Sequence, residues 1–485
     1  MDSARRIARN TGIQIAGDAV GKIATLAFYV IMARELGVED FGQFTFGLSV
    51  GLLLAVIVAF GLDDITAREV ARDRAAGDSL LWAGLAVKLV FGATAVIIAA
   101  GIASVAAPPG TGVLVVVVLT VAAVVEVLSQ SPQALLHGRE DMAPIAWSFA
   151  AQRVATAVAG ITALALGAGV LSVAVIYLGG TFVLATLCVA ALRRRGIRPA
   201  FVLSYRTTAR LVRTSFAIGL SGIFAVAVFR IDATMLGLLQ DQSAVGLYGA
   251  AYRPFESTLT VTFAFVGAVS PVLARLTPAS APTISAAYEL AAKALVAVLL
   301  PLGLGFVLFA GTVIDVLYGP SYADAASALA LLGGAAALYG VTYLAGFVLL
   351  SQDRQAVIPM VTATALLLNV AGNLIVIPRW SYEGAAAMTS MTEVLLAAAM
   401  TTFAIRATGR ISAPRILVGP LLGCGAIGLI ALLVGTDILG LGLSIAAYPL
   451  ALLAAERSLF PKDLRLVRGL LARGGVADQG APSTS

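Results

Sequence analysis

Ionisable side chains inside apolar, helix-length segments are the residues of this sequence best suited to chemistry. The basic ones are Lys22, Lys88, Arg153, Arg230, Arg253 and Lys293, and the acidic ones are Asp18, Glu126, Asp232, Glu256, Glu289 and Glu393. If such segments cross a bilayer, each charge at mid-membrane costs about 2.5–3.5 kcal/mol on insertion scales. Each therefore predicts an ion pair or a binding site.

Helical spacing favours ion pairs for several of these residues. An acid three or four residues from a base lies on the same helix face and can neutralise it. The predicted pairs are Asp18 with Lys22, Glu289 with Lys293, and Arg253 with Glu256.

The other charges fit a cationic cleft as well as they fit structural pairs. Lys88 and Arg153 have no acid at helical spacing, and Arg230 and Arg253 lie in two successive segments. Acids and bases are equally numerous within the segments, so sign alone does not identify an anionic ligand. Asn369 and Asn373 share one helix face and predict interhelical hydrogen bonds or a supporting role at such a site.

The composition of the chain indicates that these segments lie in a lipid bilayer. The chain has 485 residues, of which 60% are hydrophobic and 12% charged, and its mean hydropathy is +0.97. The apolar runs are about 20 residues long, which predicts an all-α, polytopic membrane protein with about fourteen transmembrane helices. The net charge of +6 is explained by basic loops and does not indicate nucleic-acid binding.

Catalytic and metal-binding patterns are missing from the sequence. There is one histidine, His137, and the two cysteines, Cys188 and Cys424, lie in apolar runs. There is no P-loop, GxSxG elbow or HExxH pair. We expect no enzyme activity and no cofactor, and a coupling ion, Na⁺ or H⁺, stays open.

A repeat organises the chain. A shift of 204 residues places Gly42 on Gly246 and Phe44 on Tyr248, while Arg253 falls opposite Ser49. Six spans on each side of a basic loop near residue 200 predict two parallel lobes. The predicted domains are residues 1–200 and 201–408, two further helices over 409–460, and a tail over 461–485. The basic loops place both termini in the cytoplasm.

Five motifs in order resemble the Wzx-like polysaccharide flippases of the MOP (multidrug/oligosaccharidyl-lipid/polysaccharide) exporter superfamily. The first hairpin ARELGVEDFGQFTFGLS is similar to that family's A-R-x-L-G-x-x-x-[FY]-G segment. The others are FGLDDITAREVAR, FRIDATMLGLLQDQSAVGLYGAAYR, DVLYGPSYADA and the stretch from Asn369 to Ala385. The resemblance covers nearly the whole chain.

The resemblance implies a flippase that moves an undecaprenyl-diphosphate-linked oligosaccharide from the cytoplasmic to the outer leaflet by alternating access. It implies an inner-membrane location and, as partners, the bilayer, the lipid-linked glycan, a polysaccharide polymerase and glycosyltransferases. Candidates for binding the diphosphate or acidic sugars are Lys22, Arg34, Lys88, Arg153, Arg230 and Arg253. Candidates for supporting roles are Asp18, Asp232, Glu256, Asn369 and Asn373, with Asp232 holding Arg230 and Arg253 in place.

Three other functions stay open. A multidrug or cation antiporter of the same superfamily would need an unpaired acid, for which Asp18 and Glu126 are the candidates. A lipid II flippase is a sister function. A membrane glycosyltransferase or polymerase is disfavoured, because the loops on the outer side are short.

Overall fold

A computed structural model describes residues 2–274, 281–409, 411–461 and 463, and every regular element in these ranges is helical. The helices are α1 (Asp2–Ala59), α2 (Leu62–Arg72), α3 (Gly77–Ala106), α4 (Thr111–His137), α5 (Ala143–Ala165), α6 (Val170–Arg194), α7 (Tyr205–Leu239), α8 (Gln242–Ala274), α9 (Ala281–Leu308), α10 (Ala310–Tyr318), α11 (Ala325–Ser351), α12 (Val357–Thr408), α13 (Ala413–Leu433) and α14 (Ile438–Leu459). The prediction of an all-α fold is confirmed.

Helix lengths agree with a membrane-spanning bundle. Ten stretches of the described chain are long and apolar enough to cross a bilayer. Two of them each provide two spans, because α1 breaks at Gly37 (φ 76) and α12 breaks at Ser381 (φ 48). With α5 and α8, which are 23 and 33 residues long, the helices fit about fourteen spans. Glycine suits the first break, since a positive φ is strained for most other residues.

Contacts divide the chain into two units. The first unit comprises Met1–Arg253, Ile314–Ala328 and Pro359–Thr392, and the second comprises Pro254–Val313, Leu329–Ile358 and Glu393–Ser485. The lobes predicted over residues 1–200 and 201–408 stay a prediction.

The first unit packs its helices around α1 and α4. Helix α1 packs against α4, α5 and α7, and α4 packs against α3 and α6. Near the start of α7, one buried cluster joins α2, α3, α4, α6 and α7 through Leu62, Leu80, Leu135, Leu192 and Leu211. This packing fixes the positions of α1 and α7, which carry much of the candidate site.

The second unit is built on α9, α11, α13 and α14. Phe309, Cys424, Ile427 and Tyr448 form a buried apolar cluster. Helices α9 and α11 cross where a Cβ on Gly303 would lie 2.5 Å from the carbonyl oxygen of Gly333. Such small residues let helices approach closely in a bilayer, where apolar side chains gain little by leaving lipid.

Candidate functional site

The second half of α1 meets α8 at a crossing of two glycines. A Cβ on Gly42 would lie 1.8 Å from the carbonyl oxygen of Gln242, and a Cβ on Gly246 would lie 2.1 Å from that of Val38. No side chain fits there, so glycine is required at both positions. The 204-residue shift makes Val38 the counterpart of Gln242, and Gly42 that of Gly246. The contact is reciprocal, as expected where a pseudo-two-fold axis passes through it.

A small cavity lies one turn further along the same two helices. Its lining includes Thr45, Ser49, Gly249 and Arg253. By the 204-residue shift, Thr45 is the counterpart of Gly249, and Ser49 is the counterpart of Arg253. The axis therefore runs on from the glycine crossing into the cavity. Arg230 of α7 completes the basic side of the lining. The volume is about 10 Å³, which is room for about one water molecule.

Close contacts between α7 and the α1–α2 region flank Arg230 along α7. A Cβ on Gly219 would lie 2.6 Å from the carbonyl oxygen of Phe60, and a Cβ on Gly237 would lie 2.2 Å from the Phe46 ring. The helices around the cavity are thus in contact on both sides of Arg230. The cavity is correspondingly narrow in this structure.

Arg253 is held against an aromatic ring. Its guanidinium carbon lies 3.7 Å from the centroid of the Tyr29 ring, and Tyr29 packs in turn edge-on to Phe44. Such stacking fixes the orientation of the guanidinium plane, whose N–H groups lie along its edge. A planar guanidinium with edge donors suits a phosphate or carboxylate.

Asp232 is the centre of a buried polar network that joins α7, α8 and α12. The carboxylate is 1% exposed and accepts hydrogen bonds from Asn373 Nδ2 (2.6 Å), the Thr389 hydroxyl and the Tyr248 hydroxyl (3.3 Å). Asn373 also donates to Asn369 Oδ1 (3.0 Å). The interhelical hydrogen bonds expected of the two asparagines are present. For Asp232, the role of holding Arg230 and Arg253 stays a prediction, since these bonds come from neutral donors.

Lys88 lies in a closed network of its own. Its side chain is fully buried, and Nζ donates to Asp63 Oδ2 (2.5 Å), the Ser131 hydroxyl (2.8 Å) and the Val127 carbonyl (2.9 Å). The Ser131 hydroxyl donates to the other Asp63 oxygen at 3.1 Å. All three ammonium donors therefore have protein partners, and the arrangement joins α2, α3 and α4. Lys88 does not line the cavity.

Arg34 is exposed and caps a helix. It donates to the carbonyl oxygens of Val316 (2.6 Å) and Leu317 (2.7 Å), at the carboxyl end of α10. A cation there satisfies carbonyls that lack helical partners and complements the helix dipole. The Tyr322 hydroxyl donates to the Ala33 carbonyl (2.9 Å). Hydrogen bonds from two side chains, Arg34 and Tyr322, therefore join α1 to the end of α10 and the segment that follows it.

Lys22 and Arg153 are not among the residues that line the cavity. Lys22 is exposed, and Arg153 is half-buried with its guanidinium 5.7 Å from the Phe149 ring centroid and Glu126 as an electrostatic neighbour. The side chain of Asp18 lies outside the described residues, and Glu256 belongs to the second unit.

The second unit contains a charged cluster that corrects one sequence-based prediction. Lys293 Nζ bonds Glu456 (2.6 Å) and Asp463 (3.0 Å), and Arg415 bonds Glu289 (2.9 Å) and Asp463. The pair predicted between Glu289 and Lys293 is therefore wrong. Each finds a partner on another helix or beyond α14, because neighbouring helices offer better-placed charges than one face of α9.

The sequence did not predict the partners of two residues in these networks, Asp63 and Tyr29. Asp63 follows the break after α1, and its sequence neighbours give no sign that it pairs with Lys88, 25 positions away. Tyr29 looks like an ordinary apolar helix residue until Arg253 stacks on it. Within the described residues, no group of three or more His, Cys, Asp or Glu side chains could hold a metal ion.

Comparison with solved structures shows what the fold is similar to. A structure described as "Lipid II flippase MurJ, inward closed conformation" has a TM-score of 0.76 at 12% identity, covering 93% of this chain and 99% of that one. An inward-facing multidrug-resistance MATE transporter of the MOP superfamily has a TM-score of 0.63 at 16% identity, covering 80% and 94%. An outward-facing MATE transporter has a TM-score of 0.55 at 17% identity, covering 83% and 96%. At such identities the likeness shows the fold.

Sequence comparison identifies the family. None of the curated proteins matches the chain. The model of a family described as "Polysaccharide biosynthesis protein" matches residues 7–277, which is more than half of the chain. Together with the MOP-type fold, this confirms the sequence-based resemblance to flippases and the expectation of a transporter that is not an enzyme. The chain belongs to the polysaccharide biosynthesis protein family, the Wzx-like flippases of the MOP superfamily.

Proposed function

We propose that this protein moves an undecaprenyl-diphosphate-linked oligosaccharide from the cytoplasmic to the outer leaflet for cell-surface polysaccharide assembly. The observation that carries the proposal is the small cavity on the pseudo-two-fold axis, whose lining includes two arginines, Arg230 and Arg253. The family match to polysaccharide biosynthesis proteins supplies the chemical class of the cargo.

The physical requirement is to carry a diphosphate and a chain of hydroxyl groups through hydrocarbon. Polar groups that enter an apolar medium without hydrogen-bond partners cost several kcal/mol each, about 4–8 on water-to-alkane scales. Arginine replaces the lost hydration of a phosphate with paired N–H donors. Thr45, whose buried hydroxyl has no hydrogen-bond partner among the described residues, adds a neutral hydrogen-bonding group to the lining. The polyprenyl chain would stay in the bilayer.

The cavity volume of about 10 Å³ excludes a sugar diphosphate in this conformation. Transport therefore needs the contacts around Arg230 to open on one side and then on the other. At Gly42, Gly246 and Gly219 the nearest contact is with a backbone carbonyl, and such flat contacts suit surfaces that must part and re-form. This is alternating access between the predicted lobes of residues 1–200 and 201–408.

A lipid II flippase is the second candidate. The likeness to the structure described as a lipid II flippase, with a TM-score of 0.76 over 93% of this chain, favours it. Lipid II is also a lipid-linked saccharide diphosphate, so the same arginines would serve. The two functions differ in the saccharide, and only a substrate comparison separates them.

The proposal is tested by flipping in vesicles. Purified protein is reconstituted into proteoliposomes with a fluorescent polyprenyl-diphosphate oligosaccharide, and the fraction quenched from outside is followed over time. Arg230→Gln and Arg253→Gln should each slow flipping by about tenfold or more, since each removes a charge-assisted contact of about 1.5–3 kcal/mol. Arg72→Gln is the matched control, because Arg72 is exposed and its ion-pair partner within the described chain is Glu69, three residues away.

Three outcomes decide among the functions. Full activity in both arginine variants would remove the cavity from the mechanism. Flipping of lipid II but not of the oligosaccharide lipid would favour the second candidate. Efflux of a cationic dye driven by Na⁺ or H⁺, with no lipid flipping, would identify an antiporter.

We further propose that the protein lies in the inner membrane with both termini in the cytoplasm, between glycosyltransferases that build the lipid-linked glycan and a polymerase that consumes it. In a deletion strain, lipid-linked repeat units should then accumulate on the cytoplasmic face. A reporter fused at the carboxyl terminus should be active only in the cytoplasm. Normal polymer export in the deletion strain would contradict this placement.

A further inference from the structure

The connection between α6 and α7 presents a strip of apolar side chains. Phe201, Val202, Leu203 and Tyr205 are 72%, 45%, 53% and 86% exposed. Single exposed apolar residues are common, but four within five positions at the end of a membrane-spanning helix indicate contact with the bilayer interface. The basic residues on both sides of the strip fit the same position.

The strip is anchored to α3, so its position is fixed. The backbone N–H of Ala200 donates to Asp78 Oδ2 at 3.0 Å. The Phe201 ring packs edge-on to Trp82, with 4.9 Å between ring centroids. The connection is therefore an ordered part of the surface of the first unit.

A cavity of about 570 Å³ lies beside this strip. Its apolar wall comes from α3 and α6 and includes Leu81, Leu85 and Val189. Its polar wall is formed by Trp82, Arg193 and Arg198. The cavity therefore combines an apolar side that can receive hydrocarbon with a cationic side at the end of α6.

The polar groups of this cavity lack acceptors. Within the described residues, neither Arg193 nor Arg198 forms an ion pair or a side-chain hydrogen bond, whereas the neighbouring Arg195 pairs with Asp141 at 3.1 Å. The indole N–H of Trp82 is buried and has no hydrogen-bond partner. Two arginines without protein acceptors beside one cavity are suited to bind phosphate oxygens.

We propose that this cavity binds the phosphate headgroup of an anionic phospholipid from the leaflet in which α6 ends. The apolar wall and the exposed strip point to a lipid, because a free phosphate would use neither. The cationic wall selects an anionic headgroup, and basic pockets between helices are a recurring form of such sites. The bound lipid would fasten the α6–α7 connection to the membrane.

The site is distinct from the cavity that contains Arg230 and Arg253. The two cavities share no lining residue. Its test is therefore a binding measurement, which does not depend on the transported substrate.

Delipidated full-length protein in neutral detergent is titrated with phosphatidylglycerol or phosphatidylcholine, and bound lipid is counted by native mass spectrometry. Phosphatidylglycerol should bind with a preference that weakens as salt increases. The double variant Arg193→Gln/Arg198→Gln should weaken phosphatidylglycerol binding by about tenfold or more. This follows because each basic residue near an anionic lipid surface contributes about one kcal/mol to binding. Trp82→Phe removes only the indole N–H and should weaken binding less.

The control is Arg206→Gln/Arg210→Gln, which removes two exposed charges from the beginning of α7 without touching the cavity. It should bind phosphatidylglycerol as the unchanged protein does. Equal loss in both double variants would show a diffuse charge effect and overturn the site. Undecaprenyl diphosphate binding there in preference to phosphatidylglycerol would overturn it too, since the cavity would then belong to the transported lipid.

Discussion

Lys88 offers a direct test of whether an intramembrane charge serves the fold or the substrate. The sequence predicts it as a substrate-binding residue, and the structure gives it a full set of partners in Asp63, Ser131 and the Val127 carbonyl. Lys88→Met removes the ammonium and keeps a side chain of similar length. Asp63→Asn removes the carboxylate and keeps an acceptor for the Ser131 hydroxyl.

The expected magnitudes follow from the burial of the pair. The Lys88 side chain is 0% exposed and that of Asp63 is 19% exposed. Removing one partner of a buried ion pair leaves an uncompensated charge and costs about 3–5 kcal/mol of unfolding free energy. Removing both charges leaves no buried ion, so the double variant should recover most of that loss. The loss of the Val127 carbonyl's donor would remain, at about 1 kcal/mol.

The assay combines stability with transport. Unfolding free energies of the two single variants and the double variant are measured in mixed micelles by adding denaturing detergent, with circular dichroism as the signal. Flipping is measured in proteoliposomes at matched protein amounts. A structural pair predicts a coupling of at least about 2 kcal/mol in the double-mutant cycle, with flipping restored in the double variant.

The opposite pattern would refute this reasoning. If Lys88→Met left stability unchanged, abolished flipping and was not rescued by Asp63→Asn, the ammonium would act on the substrate. Lys88 would then have to leave its network during the transport cycle.

Two further predictions concern close packing and pH. Gly42→Ala should lower the unfolding free energy by about 1–3 kcal/mol or more, because its Cβ would lie 1.8 Å from a backbone oxygen. The control is Gly179→Ala, whose Cβ would have no atom within 4 Å. In the same unfolding assay this control should be neutral or slightly stabilising. A hydrogen bond from Arg415 lowers the pKa of Asp463, so the carboxylate stabilises the folded state above its unfolded pKa of about 3.9 and this contribution disappears as pH falls below about 4. Asp463→Asn should therefore be less stable than the unchanged protein at pH 7, with the difference shrinking at lower pH; a difference independent of pH would contradict the ionic account.

Architecture was predictable because it depends on patterns that recur along the chain. Apolar runs of about 20 residues predict the helices. The 204-residue shift predicts which residues are equivalent, and the reciprocal contact of Gly42 with Gly246 agrees with it. The break in α1 falls at Gly37, within the ARELG motif that carries the family resemblance.

Side-chain partners were not predictable in the same way, because they depend on which helix lies alongside. Spacing rules consider only one helix, so they paired Glu289 with Lys293, although each bonds residues on other elements. The position of Arg34 gives no hint that the carboxyl end of α10 lies beside it. A single sequence does not encode the positions of neighbouring helices in a readable form.

The proposed function requires two equivalent repeats to bind an asymmetric substrate, and the cavity is itself asymmetric. At the glycine crossing the two copies are equivalent, but one turn further Arg253 stands opposite Ser49, and Arg230 stands opposite Leu26. Both arginines thus belong to the second copy of the repeat, which contains residues 230–253, and the first copy contains the equivalent residues 26–49. If the copies part during transport, the two guanidinium groups move together, and a diphosphate held by both need not be released. The stack of Arg253 on Tyr29 does join the two copies, so it must break as they separate. That exchange would free the guanidinium for the phosphate when the cavity opens.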